Sequence, residues 1–104
     1  MTKRIVITPK ASTDLDEQFE YLARTNLEAA LNFFDAARQT FAQIARNPGL
    51  GSPYIIKNQT LQGIRKWAVK GFRTQLIFYF DRDDHIELVR ILNAARDIES
   101  ILKQ

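Results

Sequence analysis

The chain contains no cysteine, which excludes disulfides, thiol nucleophiles and cysteine-ligated zinc or iron–sulfur centres. No apolar run approaches the ~20 residues a membrane span needs. The opening segment Met-Thr-Lys-Arg-Ile-Val-Ile-Thr-Pro lacks the long apolar stretch of a secretory signal. These absences predict a cytoplasmic protein that makes no membrane contact. There are no repeats, no low-complexity tracts and no glycine-rich nucleotide fingerprint. Gly-Leu-Gly-Ser at 49–52 lacks the lysine and spacing of a phosphate-cradling loop. Ser12, Ser52 and Ser100 stand outside any nucleophile motif. The carboxylates Asp14, Asp16, Glu17 and Glu20 read as a solvated helix face, and no His/Asp/Glu constellation is tight enough for a metal. No cofactor or metal is implied.

What is present is a chain of 104 residues, 45% hydrophobic, which predicts one compact domain over residues 1–104. The net charge of +3 is unevenly spread. Residues 1–56 carry six Lys/Arg against six Asp/Glu, and residues 57–104 carry nine against six. Lys57, Arg65, Lys66, Lys70 and Arg73 fall in one segment without an acid. Two readings of that segment stand side by side. One is a solvated strand edge whose cations discourage edge pairing. The other is a patch for phosphate or for an acidic protein segment.

Arg4-Ile-Val-Ile7 is a β-branched run and reads as a strand. Thr8 is a good helix cap and Pro9 suits a first helical position. Ala11, Leu15, Phe19 and Leu22 form one apolar stripe, and acids at 14, 16 and 17 favour the helix dipole. A break at Thr25-Asn26 leads to a second helix, with Asn26 as its cap. Its stripe is Leu27, Ala30, Leu31, Phe34, Ala37, Phe41, Ile44 and Ala45, and Asn47-Pro48-Gly49 ends it. Residues 9–47 therefore read as a helical hairpin laid on a sheet. Residues 48–62 form a long loop to which we assign a structural role, with Tyr54 and Ile55 packing back on the domain.

Three strands follow, at 64–69, 73–80 and 86–92, joined by short turns that imply antiparallel pairing. In the middle strand Leu76, Phe78 and Phe80 share a face, expected to take the helices. Arg73, Gln75, Ile77 and Tyr79 share the other, expected to lie open and to await a partner. A short final helix runs from Ala94 or Ala95 to Leu102.

Two further positions carry chemistry. His85 lies beside Asp83 and Asp84. A histidine can act as a general base near neutrality, but no partner is assignable, and a turn residue beginning a strand is the plainer reading. Arg90 sits in an apolar strand, on the same face as Leu88 and Leu92. Burying it unpaired is costly, so it either meets an acid such as Asp97 or Glu87 or serves a partner.

The order of elements, with Thr-Pro-Lys-Ala-Ser-Thr-Asp-Leu-Asp-Glu at 8–17, Asn-Pro-Gly-Leu-Gly at 47–51, Gly-Ile-Arg-Lys-Trp-Ala-Val-Lys-Gly-Phe-Arg at 63–73, Leu-Ile-Phe-Tyr at 76–79 and Arg-Ile-Leu-Asn-Ala-Ala-Arg-Asp at 90–97, resembles the RelE/ParE superfamily of bacterial type II toxins over nearly the whole chain. The ending at 90–97 is more similar to the ParE branch. The resemblance implies an α+β fold in which an N-terminal strand and a helical hairpin pack on a small antiparallel sheet, closed by a short helix. It implies a toxin of the plasmid-stabilising kind that blocks DNA gyrase by binding and is neutralised by a cognate acidic antitoxin, with operator DNA reached only through that antitoxin. Arg65, Trp67, Arg73, Ile77, Tyr79, Arg90 and Arg96 are the expected target- or antitoxin-binding residues. The alternative is a RelE-like endoribonuclease that cleaves mRNA on the ribosome, for which Lys66, Arg73, His85 and Arg96 are the candidate catalytic residues. RelE-like toxins use a tyrosine near the C-terminus, and the closing segment Ser-Ile-Leu-Lys-Gln has none. That departure favours the gyrase reading.

Overall fold

The first helix begins as its sequence dictates. The Ala11 N–H donates to the Thr8 hydroxyl at 3.2 Å, and Pro9 occupies the first helical position, where its missing N–H costs nothing. This helix, α1 (Pro9–Ala23), follows strand β1 (Arg4–Ile7). Its first turn holds no acid. The expected dipole role of the carboxylates is thus not met at that end, and Asp14 is used elsewhere. Asn26 caps α2 (Leu27–Arg46) through the Ala29 N–H at 3.1 Å, and Pro48 stops it.

The structure, a computed structural model, describes residues 2–57 and 59–103. After α2 come a 3-10 turn at Pro48–Leu50, a two-residue strand β2 (Ser52–Pro53) and a second 3-10 turn at Gln59–Leu61. Then follow β3 (Arg65–Val69), β4 (Phe72–Asp81), β5 (His85–Asn93) and α3 (Ile98–Leu102). The final helix starts later than expected, because Ala94–Arg96 form a turn pinned by the Ala94 N–H to the Thr74 carbonyl at 2.7 Å. No helix among the described residues is long and apolar enough to cross a membrane.

The sheet has the order β1-β5-β4-β3-β2. It is mixed rather than antiparallel, because β1 runs parallel to β5 while the other three pairs are antiparallel. Both faces are buried. The helical hairpin covers one, where Ala11, Leu15, Phe33, Ala37, Phe41 and Ile44 meet Ile77, Tyr79, Ile86, Leu88 and Ile91. On the other, Ile56, Ile98 and Leu102 cover Ile64, Phe78, Phe80 and Leu92.

This reverses the expected faces of β4. Ile77 and Tyr79 point at the helices and are 0% exposed, while Leu76, Phe78 and Phe80 belong to the second core. No open amphiphilic face remains there, since each side of the strand has its own apolar cover. The alternation of β5 is also broken. A register shift lets Val89 and Arg90 together oppose Phe78, so Leu88 lies in the first core and Leu92 in the second. Two of the expected stripe residues of α2, Leu27 and Leu31, are exposed, whereas Phe33 is buried. In the long loop Tyr54 does pack back, edge-on to Phe78 at 5.3 Å, but Ile55 is 90% exposed.

Candidate target-binding surface

Several candidate residues are consumed by the fold. Arg90 forms a two-pronged bond to Asp14 of α1, Nε to Oδ2 at 2.7 Å and Nη2 to Oδ1 at 2.9 Å. The Ile91 N–H adds a third bond to the same carboxylate. The Asp14 hydrogen bonds push the Arg90 pKa above its ordinary value, against the opposing effect of burial. The partner is neither Glu87, which binds Arg82, nor Asp97, which caps α3. Asp14 is 5% exposed, so it is not part of a solvated acidic face. A signal for it was present, since it lies three residues after Ala11 and one before Leu15, on the apolar stripe. The bond ties α1 to the bulge of β5 and leaves Arg90 unsuited to an outside partner.

Tyr79 is equally committed. Its hydroxyl accepts the Gly51 N–H at 2.8 Å and donates to the Pro48 carbonyl at 2.7 Å. Arg65 grips the same loop, Nε to the Gly51 carbonyl at 2.7 Å and Nη2 to the Gly49 carbonyl at 3.2 Å. Gly51 is required there for lack of space, because a Cβ would lie 2.6 Å from the Tyr79 hydroxyl. Ile77 is enclosed in the helix-side core. Ile77, Tyr79, Arg65 and Arg90 are thus structural parts of this molecule rather than exposed anchors, and Tyr79 and Gly51 form a polar link that the local pattern did not disclose.

Trp67, Arg73 and Arg96 remain open. Trp67 is 37% exposed, and Arg73, Arg96 and the turn residue Lys70 are exposed. None of these four side chains has a hydrogen-bond or ion-pair partner among the described residues. Trp67, Lys70 and Arg73 line a shallow, mostly apolar cleft with Gln43, Ala68, Val69 and Gly71, which holds two cations and no acid. β2 pairs only with Arg65 and Lys66, so among the described residues the edge of β3 beyond them carries no strand. Arg96 lies at the same end of the sheet as Arg73, because Asn93 pairs with Gln75 and Ala94 binds Thr74.

Lys66 sits apart, its ammonium 5.5 Å from the Tyr54 ring centroid. It pairs with Phe78, five residues along β4 from Arg73, roughly 16 Å away at strand rise. His85 begins β5 at the opposite end, eight residues or roughly 26 Å from Asn93. Its Nδ1 is 2.6 Å from Asp84 Oδ1, a bond that holds the exposed Asp84 carboxyl below its ordinary pKa. Lys66, Arg73, His85 and Arg96 are therefore not brought together into one centre.

A mixed sheet under a helical hairpin, closed by a short helix and bearing exposed cations at one end, defines a small α+β protein. The family model described as the ParE toxin of the type II toxin–antitoxin system, parDE, matches residues 5–98, and the chain belongs to that family. No curated protein matches the sequence. Among solved structures, the chromosomal ParDE toxin–antitoxin system from P. aeruginosa is similar at TM-score 0.71 and 16% identity, covering 88% of this chain and 96% of that one. The YoeB dimer from Staphylococcus aureus is similar at TM-score 0.55 and 19% identity, covering 88% and 95%. The YoeB–YefM complex from the same organism is similar at TM-score 0.53 and 20% identity over the same shares. At such identities these likenesses show the shared fold. The chain is a toxin of the type II toxin–antitoxin class.

Proposed function

We propose that this toxin acts in the cytoplasm by binding and poisoning DNA gyrase, with Trp67, Lys70, Arg73 and Arg96 as the contact set. The observation that carries the reading is the division of labour among the candidates. Among the candidate residues, the unbonded Arg73 and Arg96 lie at one end of the sheet, with Arg73 beside an exposed indole, while the four residues a ribonuclease would draw together are spread over its length. Tryptophan and arginine, which share this cleft as Trp67 and Arg73, are enriched among the anchors of protein interfaces. Purified protein added to gyrase should block supercoiling, and Arg73→Ala with Arg96→Ala should weaken that block. Codon-phased mRNA cuts within minutes of induction, with supercoiling unchanged, would replace this reading with the endoribonuclease one.

A cognate acidic antitoxin neutralises the toxin and brings it to operator DNA. The similar structures, a ParDE toxin–antitoxin system and a YoeB–YefM complex, support the pairing with an antitoxin. Co-expression with the adjacent reading frame should yield a complex that survives gel filtration. Recovery of the free toxin alone, with both chains folded, would count against it.

A further inference from the structure

The outer edge of β3 is closed at both ends and open between them. Backbone N–H and C=O groups point alternately to the two sides of a strand. Just before β3 the Ile64 C=O accepts the Tyr54 N–H, and Lys66 pairs with Ser52 of β2, so residues of this parity face away from β4. Lys70, of the same parity, gives its N–H to the Thr40 hydroxyl of α2 at 3.1 Å. Ala68 lies between these two closures. Its outward N–H and C=O meet neither β2, which stops at Lys66, nor α2 among the described residues.

This gap opens into the cleft that Trp67, Lys70 and Arg73 share with Gln43 of α2. Trp67 opposes Ile77 of the helix-side core, so its indole stands on the side of the sheet that carries α2. The cleft wall is mostly apolar, and its two cations have no acid beside them. Cations at a strand edge discourage pairing by a neutral or basic strand and favour an acidic one. An unpaired backbone position, an exposed indole and two unopposed cations therefore coincide.

We infer that gyrase inserts a short, extended, acidic segment of its own chain at this gap, pairing with Ala68; the inference rests on the gyrase reading above. The segment's backbone exchanges an N–H···O bond in each direction with Ala68. One of its apolar side chains lies against the Trp67 indole, and a carboxylate meets Lys70 or Arg73. Duplex DNA is a poorer occupant. Phosphates would satisfy the cations, but the Ala68 C=O is an acceptor that needs an N–H, and the wall around it is mostly apolar. A second copy of this chain is poorer too, since it would bring a net charge of +3 against two cations.

The test is hydrogen exchange on the full-length toxin, free and bound to the gyrase holoenzyme. In the free toxin the Ala68 amide should exchange faster than that of Trp67, whose backbone faces β4. On binding, the Ala68 amide should slow by roughly tenfold or more. Lys70→Glu should weaken binding by roughly tenfold or more. Arg38→Glu, the same charge change in a groove beside Ile5 and Ile7 of β1, should leave it unchanged. Gyrase binding with Ala68 exchanging as in the free toxin, or with Lys70→Glu no more harmful than Arg38→Glu, overturns this site and spares the gyrase reading. An Ala68 amide already as slow as that of Trp67 in the free toxin also overturns it. Slowing of Ala68 by duplex DNA without gyrase, or in the toxin alone as its concentration rises, gives the gap to another occupant and likewise overturns the proposal. A toxin that neither binds gyrase nor blocks supercoiling overturns both.

Discussion

The two faces of the sheet are buried by different means. The helix side is covered by two capped helices of 15 and 20 residues and tied to the first of them by the Asp14–Arg90 bond. The second side is covered by loop residues and by α3, a helix of five residues. Isolated helices so short are unstable, so α3 exists only because Ile98 and Leu102 are buried against β4 and β5. The second cover is also anchored from beneath. Tyr79, a residue of the helix-side core, holds Gly51 and Pro48 at the start of the loop that supplies Ile56. The second cover is thus the shorter of the two and is held in place through a residue of the helix-side core.

The sharpest test pairs the two faces. Arg90→Ala strands the buried Asp14 carboxylate on the helix side and should cost about 3–5 kcal/mol. Phe78→Ala, at 0% exposure on the second side, should cost about 3–5 kcal/mol as well. Urea unfolding of both variants measures this. A near-neutral Phe78→Ala would mean that the second side is a loose cover rather than a core.

Leu102→Ala should cost about 2 kcal/mol, the low end for such truncations, because a short terminal helix can settle into the gap. Exchange of α3 amides should then accelerate while those of α2 keep the global rate. Equal acceleration in both helices would show the two sides to be one cooperative unit.

Gly51→Ala probes the anchor between the faces. Its Cβ would meet the Tyr79 hydroxyl and the Lys66 carbonyl, at 2.6 and 2.8 Å. Thermal unfolding should show a loss of about 1–3 kcal/mol. A neutral result would mean the loop moves without disturbing the second side.

Arg73→Ala and Arg96→Ala should each change stability by no more than about 0.5 kcal/mol, since both side chains are exposed and unbonded. A larger loss in chemical denaturation would place them among the structural arginines with Arg65 and Arg90.

The smallest effect concerns pH. The Ser100 hydroxyl and N–H bind the Asp97 carboxylate that caps α3 and hold its pKa below the ordinary value. A lowered folded-state pKa stabilises above the unfolded pKa and is lost as pH falls through the folded one. The cap should therefore act fully at neutral pH and loosen α3 only in acid, below the usual aspartate range. α3 amide exchange between neutral and acidic pH follows it, and Asp97→Asn should flatten the change.

Much of the fold was legible because its signals are local. Thr8-Pro9, Asn26 and Asn47-Pro48 mark helix ends through contacts within four residues, and all three boundaries appear as read. The candidate site was less legible. Arg73, Trp67 and Arg96 are exposed as their expected role requires, but Arg65, Ile77, Tyr79 and Arg90 are spent on contacts 14 to 76 residues away along the chain or on the core. An arginine's sequence neighbours cannot tell whether a distant acid will reach it.

Local signals in the chain fixed where the two long helices start and stop, where the strands lie and which part carries excess positive charge. Caps, proline geometry and side-chain period act over one or two turns of backbone. Only the tertiary structure decided which side of β4 meets the helices, that β1 runs parallel beside β5, and that Arg90 belongs to Asp14. β4 is apolar on both sides, so its alternation has no preferred face until two separate covers choose. The bulge in β5 then shifts Arg90 out of the pattern its neighbours imply, toward an acid on the far end of the chain.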